Sequence, residues 1–292
     1  MKIAAVLLAT SLLVLPAGVF AQSQPVLRGY AVLGVELVRI GPSVHVQPGA
    51  VGATATTGTV RLATAAQVSG AVVAGTVRVA RRARVGRLFC QVVSGGGFGS
   101  GVVGGPTVGG SPVPGSGCAQ LTTPLVDPTQ LVPIPVTPGT SDVQLAPRQS
   151  SAPLAPGAYG AVRVGRGSLL QLIGGAYQMR SIRLSPTARL VCLDDCRVGV
   201  AENVRLGAMA QLGAVGGLSA SHVRVDVAAG VPGAAFRAGP HTVVFGTVFA
   251  PTGSVLLGPS GDYQGAFVGS TVVVRPRSQV HGQSAFPPPP RN

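Results

Sequence analysis

Short runs in which apolar and polar residues alternate recur along the chain, and they predict β-strands rather than helices. In the segments SVLLG and TVVVR, the alternate apolar positions are Val255 and Leu257 in the first and Val272 and Val274 in the second. These side chains share one face of a strand, because strand side chains alternate with a period of two. Val272 follows Val255 by 17 residues, and a third short apolar run lies between them at residues 265–269. Three short strands per repeat indicate one coil of a parallel β-solenoid, in which each coil covers the apolar row of the next.

The same spacing occurs near the other end of the chain, where TVRL at residues 59–62 recurs as TVRV at residues 76–79. Farther on, the segments AVRVG, SIRLS, NVRLG and HVRVD have the central residues Val162, Ile182, Val204 and Val223, which are 20, 22 and 19 residues apart. These spacings are typical of a right-handed parallel β-helix, whereas the strict six-residue repeat of a left-handed helix is missing. The sequence therefore predicts an all-β chain that forms a right-handed parallel β-helix, a single-stranded β-solenoid with a Gly/Pro-rich insertion.

The repeats divide the chain into segments. We expect a signal peptide at residues 1–21, a first solenoid segment at 29–91, a Gly-rich loop and Pro-rich linker at 92–156, the main solenoid at 157–286 and a disordered tail at 287–292. The Pro-rich part should be extended and semi-rigid. It either links the two solenoid segments or packs along the side of one.

The N-terminal segment predicts export. A single lysine, Lys2, is followed by an apolar run that ends in the small residues Val19 and Ala21, as in a cleaved secretory signal. No later segment of the sequence is long and apolar enough to span a bilayer. We therefore expect a periplasmic, cell-surface or extracellular location. The composition, with 43 Gly, 25 Pro and no Trp, fits an extended β fold with a core of stacked aliphatic side chains.

The charge is strongly basic and is carried by arginine. The net charge is +14, and apart from Lys2 every basic residue is Arg. A GC-rich genome would explain the preference for Arg over Lys but not the presence of only eight acids. Several arginines stand at alternate strand positions between apolar neighbours, so we expect them to face outward in rows. These candidates are Arg61, Arg78, Arg183, Arg205 and Arg224.

Rows of guanidinium groups favour polyanions. The expected partners are acidic polysaccharide, lipopolysaccharide or other cell-envelope components. Nucleic acid is not expected, because aromatic residues make up only 4% of the chain and stacking platforms for bases are missing. The sequence leaves self-association open.

Four cysteines are candidates for disulfides in an exported protein. Cys90 and Cys118 flank the Gly-rich stretch and would close its base. Cys192 and Cys196 enclose Asp194 and Asp195. A four-residue step can be bridged only if the chain folds back, and Asp favours such turns.

The paired aspartates also suggest a second interpretation. Asp194 and Asp195 could act as the acid and base of a polysaccharide hydrolase or lyase. The companion motifs of β-helical polysaccharide enzymes are missing from the sequence, which favours the turn. The four histidines are scattered without metal-ligand spacing, and we expect no cofactor and no metal.

The segment LAPGAYGAVRVGRGSLLQLIGGAYQMRSIRLSPTARLV, together with GTVFAPTGSVLLGPSGDYQGAFVGSTVVV, resembles bacterial exported parallel β-solenoid domains. Such domains occur in pilus-assembly-associated and polymer-forming surface proteins. The similarity covers residues 154–286, with a weaker echo at residues 30–85. It implies a parallel β-helix outside the cell and carries no catalytic residues.

These observations predict an exported structural or surface-interaction protein without catalytic activity. The first alternative is a protein that binds acidic polysaccharide or lipopolysaccharide through its arginine rows. The second is a polysaccharide hydrolase or lyase that uses Asp194 and Asp195.

Overall fold

The computed structural model describes residues 27–94, 126, 128–228 and 234–286. These residues form a parallel β-solenoid of about 11 turns, with 57% of the chain in strands and 3% in helices. The prediction of an all-β parallel β-helix is confirmed. The predicted signal peptide, the tail at residues 287–292, Cys118 and most of the Gly-rich loop lie outside the described residues.

The strands of the first solenoid segment are β1 (Tyr30–Ile40), β2 (His45–Val46), β3 (Ala50–Ala53), β4 (Thr59–Leu62), β5 (Gln67–Val79) and β6 (Arg84–Ser94). Those of the second are β7 (Val143–Leu145), β8 (Gly157–Val164), β9 (Leu169–Leu172), β10 (Gly175–Leu184), β11 (Arg189–Cys192), β12 (Cys196–Val200), β13 (Val204–Leu206), β14 (Gln211–Ala214), β15 (Val223–Val227), β16 (Ala234–Ala238), β17 (Val243–Phe245), β18 (Thr247–Leu257), β19 (Asp262–Gln264), β20 (Phe267–Val274) and β21 (Gln279–His281). Short 3-10 helices span Leu27–Gly29, Pro128–Leu131 and Ala220–His222.

The coils have three faces, as the three-strand repeat predicts. Face A is formed by residues 143–145, 162–164, 182–184, 204–206, 236–238, 255–257, 272–274, 38–40, 60–62 and 77–79, in that spatial order. Face B includes β9, β11, β14, β17, β19, β21 and β2, together with the start of β5. Face C includes β12, β15 and β3, together with the first parts of β10, β18, β20 and β1.

The two solenoid segments form one continuous stack, and their order in space differs from their order in the chain. β1 pairs with β20 in parallel, so that Val38 lies beside Val272. β2 pairs with β21, which places His45 beside Gln279. The first segment therefore continues the stack beyond the last coil of the second.

The core is a set of aliphatic rows that run along the stack. On face A the inward residues Val162, Val204 and Val255 are fully buried, and Val60 and Val77 continue the row. Each coil leaves one apolar side exposed until the next coil covers it, and burial of such a side chain contributes about 1.5–3 kcal/mol. The stack is therefore stabilised mainly between neighbours.

The Pro-rich linker packs along the side of the solenoid, one of the two arrangements expected for it. The Thr137 amide donates to Gln178 Oε1 over 2.7 Å, and the Gly139 amide donates to the carbonyl of Tyr159 over 3.1 Å. Val126 is buried in an outer cluster on face C with Leu33, Val73, Phe249, Val268 and Phe286. Face C is thus covered by segments of this chain.

Two of the three predicted coil spacings are confirmed, and the third is wrong. Ile182 pairs with Val162 and with Val204. The next partner of Val204 is Phe236 rather than Val223. This coil is longer, because eight residues separate β14 from β15 and six separate β15 from β16. Val223 instead belongs to face C, beside Cys196.

The solenoid also begins earlier than residue 157. β7 lies within the segment assigned to the linker, yet it pairs with β8 and supplies a strand of face A. Ser150 and Leu154 add isolated parallel bridges to Leu169 and Leu172. The coil at residues 143–156 is therefore part of the stack.

The order of the stack can be tested with an introduced disulfide. Leu37 and Thr271 are register partners on β1 and β20. Because neighbouring strands lie about 4.8 Å apart, we expect a Leu37→Cys/Thr271→Cys chain to form an intramolecular bond upon oxidation. Peptide mapping of the monomer would identify it. A Leu37→Cys/Ser254→Cys chain, one coil farther apart, should not form it, and equal bridging of both pairs would contradict the stack order.

Candidate polyanion-binding face

Seven arginines lie in one column along face A. Arg163, Arg183, Arg205 and Arg237 are successive register partners. Leu256 and Val273 continue the column. Arg39, Arg61 and Arg78 complete it on the coils of the first segment. We call these seven residues the arginine column.

The local sequence explains why each of these side chains points outward. In AVRV, the flanking Val162 and Val164 are 0% and 1% exposed, so the alternation of the strand turns Arg163 to the solvent. The other six members stand between buried neighbours in the same way. Because the strands are parallel and in register, equal positions of successive coils stack about 4.8 Å apart.

The column carries positive charge without compensation from the protein. All seven side chains are exposed, and within the described part of the chain no hydrogen bond or ion pair joins them to another residue. No Asp or Glu occurs on the strands of face A. Two unit charges one rung apart repel by about 1 kcal/mol in water before salt screening. The column is therefore a surface that an anionic ligand would stabilise.

More arginines flank the column in the turns that follow face A. They are Arg81, Arg82, Arg148, Arg166, Arg275 and Arg277. These turns contain no acidic residue. They add to the positive field along the same edge of the solenoid.

Two shallow grooves lie along the column. One, of about 590 Å³, is lined by Arg39, Arg61 and Arg78 with Arg275. The other, of about 270 Å³, is lined by Arg183, Arg205 and Arg237 with small turn residues.

The small residues beside the second groove are required by the stacking of the coils. A side chain at Gly207 would place its Cβ 2.6 Å from the backbone nitrogen of Pro186, and one at Gly239 would lie 2.8 Å from the carbonyl carbon of Gly207. The close approach of the turns thus keeps this edge low, and the long guanidinium side chains rise above it.

Four of the five arginines selected from the sequence belong to the column: Arg61, Arg78, Arg183 and Arg205. Sequence reasoning missed Arg39, Arg163 and Arg237. The signal was present in LVRI, AVRV and AFRA, which have the same apolar–Arg–apolar pattern. What joins them is the register, which is a property of the fold.

Arg224 does not join the column. It lies on face C, and its Nε donates to Asp226 Oδ1 over 2.7 Å. Arg197 Nε approaches Asp226 Oδ2 at 3.3 Å. The guanidinium of Arg224 also lies over Phe249 and Phe286, with its carbon 5.1 and 4.9 Å from the ring centroids. Its charge is used within the protein, in an ion pair and cation–π contacts.

Asp194 and Asp195 form the predicted turn. Asp194 Oδ1 accepts a hydrogen bond of 2.8 Å from the Asp195 amide, which is the local bonding that Asp provides in turns. The Asp195 side chain is 75% exposed and lies 3.9 Å from His222 Nε2. The geometry accounts for this pair as a surface turn between β11 and β12.

The cysteines on either side of this turn are buried thiols in the structure, and the predicted disulfide between Cys192 and Cys196 is not formed. A hydrogen bond shared with Cys196 and, next, burial raise the pKa of the Cys192 thiol. Nearby, burial raises the pKa of Tyr177, whose hydroxyl donates to the carbonyl of Leu154 over 2.8 Å. The predicted Cys90–Cys118 pair stays a prediction, because Cys118 lies outside the described residues.

Among residues 27–94, 126, 128–228 and 234–286, no group of three or more His, Cys, Asp or Glu side chains is placed to hold a metal ion. The helices in that part of the chain are too short to cross a membrane. Comparison of the chain with protein-family models, with curated proteins and with solved structures finds no match. The resemblance to exported solenoid domains therefore stays a prediction, and function is argued from the geometry of the column.

Relief of repulsion within the column can be measured as stability. Because Arg61 has an arginine on both neighbouring rungs, we expect Arg61→Gln to raise the free energy of unfolding by about 0.5 kcal/mol at low salt. The gain should shrink at high salt. Arg180→Gln is the control, since it removes the 2.8 Å ion pair with Asp142 and should lower stability slightly. A stability loss in Arg61→Gln at both salt concentrations would contradict uncompensated repulsion.

The state of the two buried cysteines can be tested by alkylation. We expect Cys192 and Cys196 to resist a thiol reagent in the native protein near pH 8, because burial excludes the reagent and the raised pKa of Cys192 keeps its thiol protonated. Both should react once the chain is denatured without reductant, as mass spectrometry would show. Labelling that requires a reductant would mean that the disulfide forms after all.

Proposed function

We propose that this protein is an exported, non-catalytic surface-interaction protein that binds an acidic polymer of the cell envelope or matrix through face A. The observation that supports this most strongly is the arginine column, in which seven exposed guanidinium groups stack without an acidic partner among the described residues. Acidic polysaccharide and the phosphate groups of lipopolysaccharide are the two sources of negative charge that fit an exported protein.

The length of the column favours a polymer over a small anion. From Arg163 to Arg78 the column has eight steps of about 4.8 Å, or roughly 38 Å in total. A small anion would neutralise one or two rungs, whereas an extended chain of negative charges would neutralise the whole row. Guanidinium groups bind carboxylate and phosphate through two parallel hydrogen bonds, which suits repeated contacts of this kind.

The rest of the surface is less suited to this role. Face C is covered by the linker and by Phe286. The outward row of face B is mixed, with Arg189, Gln211, Val243, Asp262 and Gln279 on successive coils. Face A is therefore the one of the three faces that offers a long row of a single charge.

The N-terminal sequence supports an exported role, since residues 1–21 have the pattern of a secretory signal. A solenoid of about 11 turns also provides a long, regular support for such a row. The turn geometry of Asp194 and Asp195 gives no support to the alternative of a polysaccharide hydrolase or lyase.

The proposal is tested by removing charge from two places that differ only in location. Arg183→Gln/Arg205→Gln should weaken binding to immobilised polygalacturonate by about tenfold or more, because two charge-assisted contacts are lost. Arg84→Gln/Arg189→Gln removes the same charge outside the column. We expect this control to change the affinity much less. Affinities measured over a range of salt would decide, and equal weakening in both variants would contradict a role for face A.

A further inference from the structure

The arginine column is periodic in a way that selects among acidic polymers. Hydrogen bonding between parallel strands holds its rungs about 4.8 Å apart. We propose that the ligand is a linear polyuronate, a polysaccharide with one carboxylate on every sugar, and that it lies along the solenoid axis. This inference rests on the proposed function and specifies its ligand class.

The repeat of such a chain matches the rungs. An extended chain of 1,4-linked uronic acids advances by about one rung per sugar, so successive carboxylates meet successive guanidinium groups. A polymer in which acidic and neutral sugars alternate doubles this interval and reaches only every second rung. Phosphate groups clustered on a lipid headgroup would fill one part of the column and leave the rest unpaired.

The interruption of the column also has a consequence for the ligand. Leu256 and Val273 separate a group of four arginines, ending at Arg237, from a group of three that begins at Arg39. The gap spans three steps, or about 14 Å. The two grooves lie one on each group. A sugar ring crossing the gap would place its C–H groups against these two apolar side chains.

One long chain that engages both groups binds as a bivalent ligand. Once the first group is occupied, the second meets its carboxylates at a high effective concentration. The affinity should therefore rise steeply when the oligosaccharide becomes long enough to span the nine positions of the column. A chain of four uronates can occupy only one group.

The face is less suited to nucleic acid. The aromatic residue on its described strands, Phe236, is fully buried, so the column presents no ring on which a base could stack. The contacts that remain are to charge alone, which would favour a polymer with planar carboxylates that accept bidentate hydrogen bonds.

The test is a calorimetric titration of the full chain with galacturonate oligomers of four and of nine sugars, in the presence of a chelator. We expect the nonamer to bind roughly a hundredfold more tightly than the tetramer. Hyaluronan oligosaccharides matched to the nonamer in carboxylate number, but with every second sugar neutral, should bind at least about tenfold more weakly than the nonamer. An affinity that depends only on the number of carboxylates would overturn the match of spacing.

A substitution in the gap tests the path of the ligand. Leu256→Glu should weaken binding of the nonamer by about tenfold relative to Leu256→Gln, because it places a negative charge where the chain must cross. Equal affinities in the two variants would show that the ligand does not run along the column. These results overturn the ligand class while leaving a polyanion-binding face in place. Failure to bind any of the acidic oligosaccharides or polygalacturonate would instead remove the proposed function itself.

Discussion

The parallel, in-register pairing of strands is the constraint on which the rest of this structure depends. It stacks each inward position on the same position of the next coil, so Val60 and Val77 meet across β4 and β5. The same register stacks Arg61 on Arg78. Burial of the aliphatic rows stabilises the solenoid, whereas the arginine rows act against it through repulsion between like charges. A surface that costs stability and has no partner within the described part of the protein is well suited to an external ligand.

The treatment of charge on face C makes the contrast clear. There Asp226 is 2% exposed and accepts hydrogen bonds from Arg197 and Arg224, and two phenylalanine rings cover Arg224. A buried carboxylate needs such partners, because the loss of its hydration is costly. The arginines of face C thus secure the chain's own covering segment, while those of face A remain solvated and unpaired.

The alternation in the sequence was enough to predict the strands, their inward residues and the parallel solenoid. The spacings of 17, 20 and 22 residues also placed Arg61 beside Arg78 and Arg183 beside Arg205. The order of the two segments could not be predicted, because every coil presents a similar apolar row and the pattern does not specify which coil follows which.

Arg224 shows the same limit within one coil. Its neighbours Val223 and Val225 are the same kind of residue as those that flank Arg163, so the pattern alone suggests the column. Whether such a strand lies on face A or on face C depends on the lengths of the preceding corners. The longer connections around β15 shift this strand by one face, and they have no signature in the local alternation.

The most direct test of the central claim is arginine footprinting of the full chain with a reagent specific for guanidinium groups, with and without polygalacturonate. If the column is the binding surface, peptide mass spectrometry will show protection of Arg163, Arg183, Arg205, Arg237, Arg39, Arg61 and Arg78, while Arg84 and Arg189 remain reactive. Protection spread evenly over all exposed arginines, or absent from the column, would contradict the account.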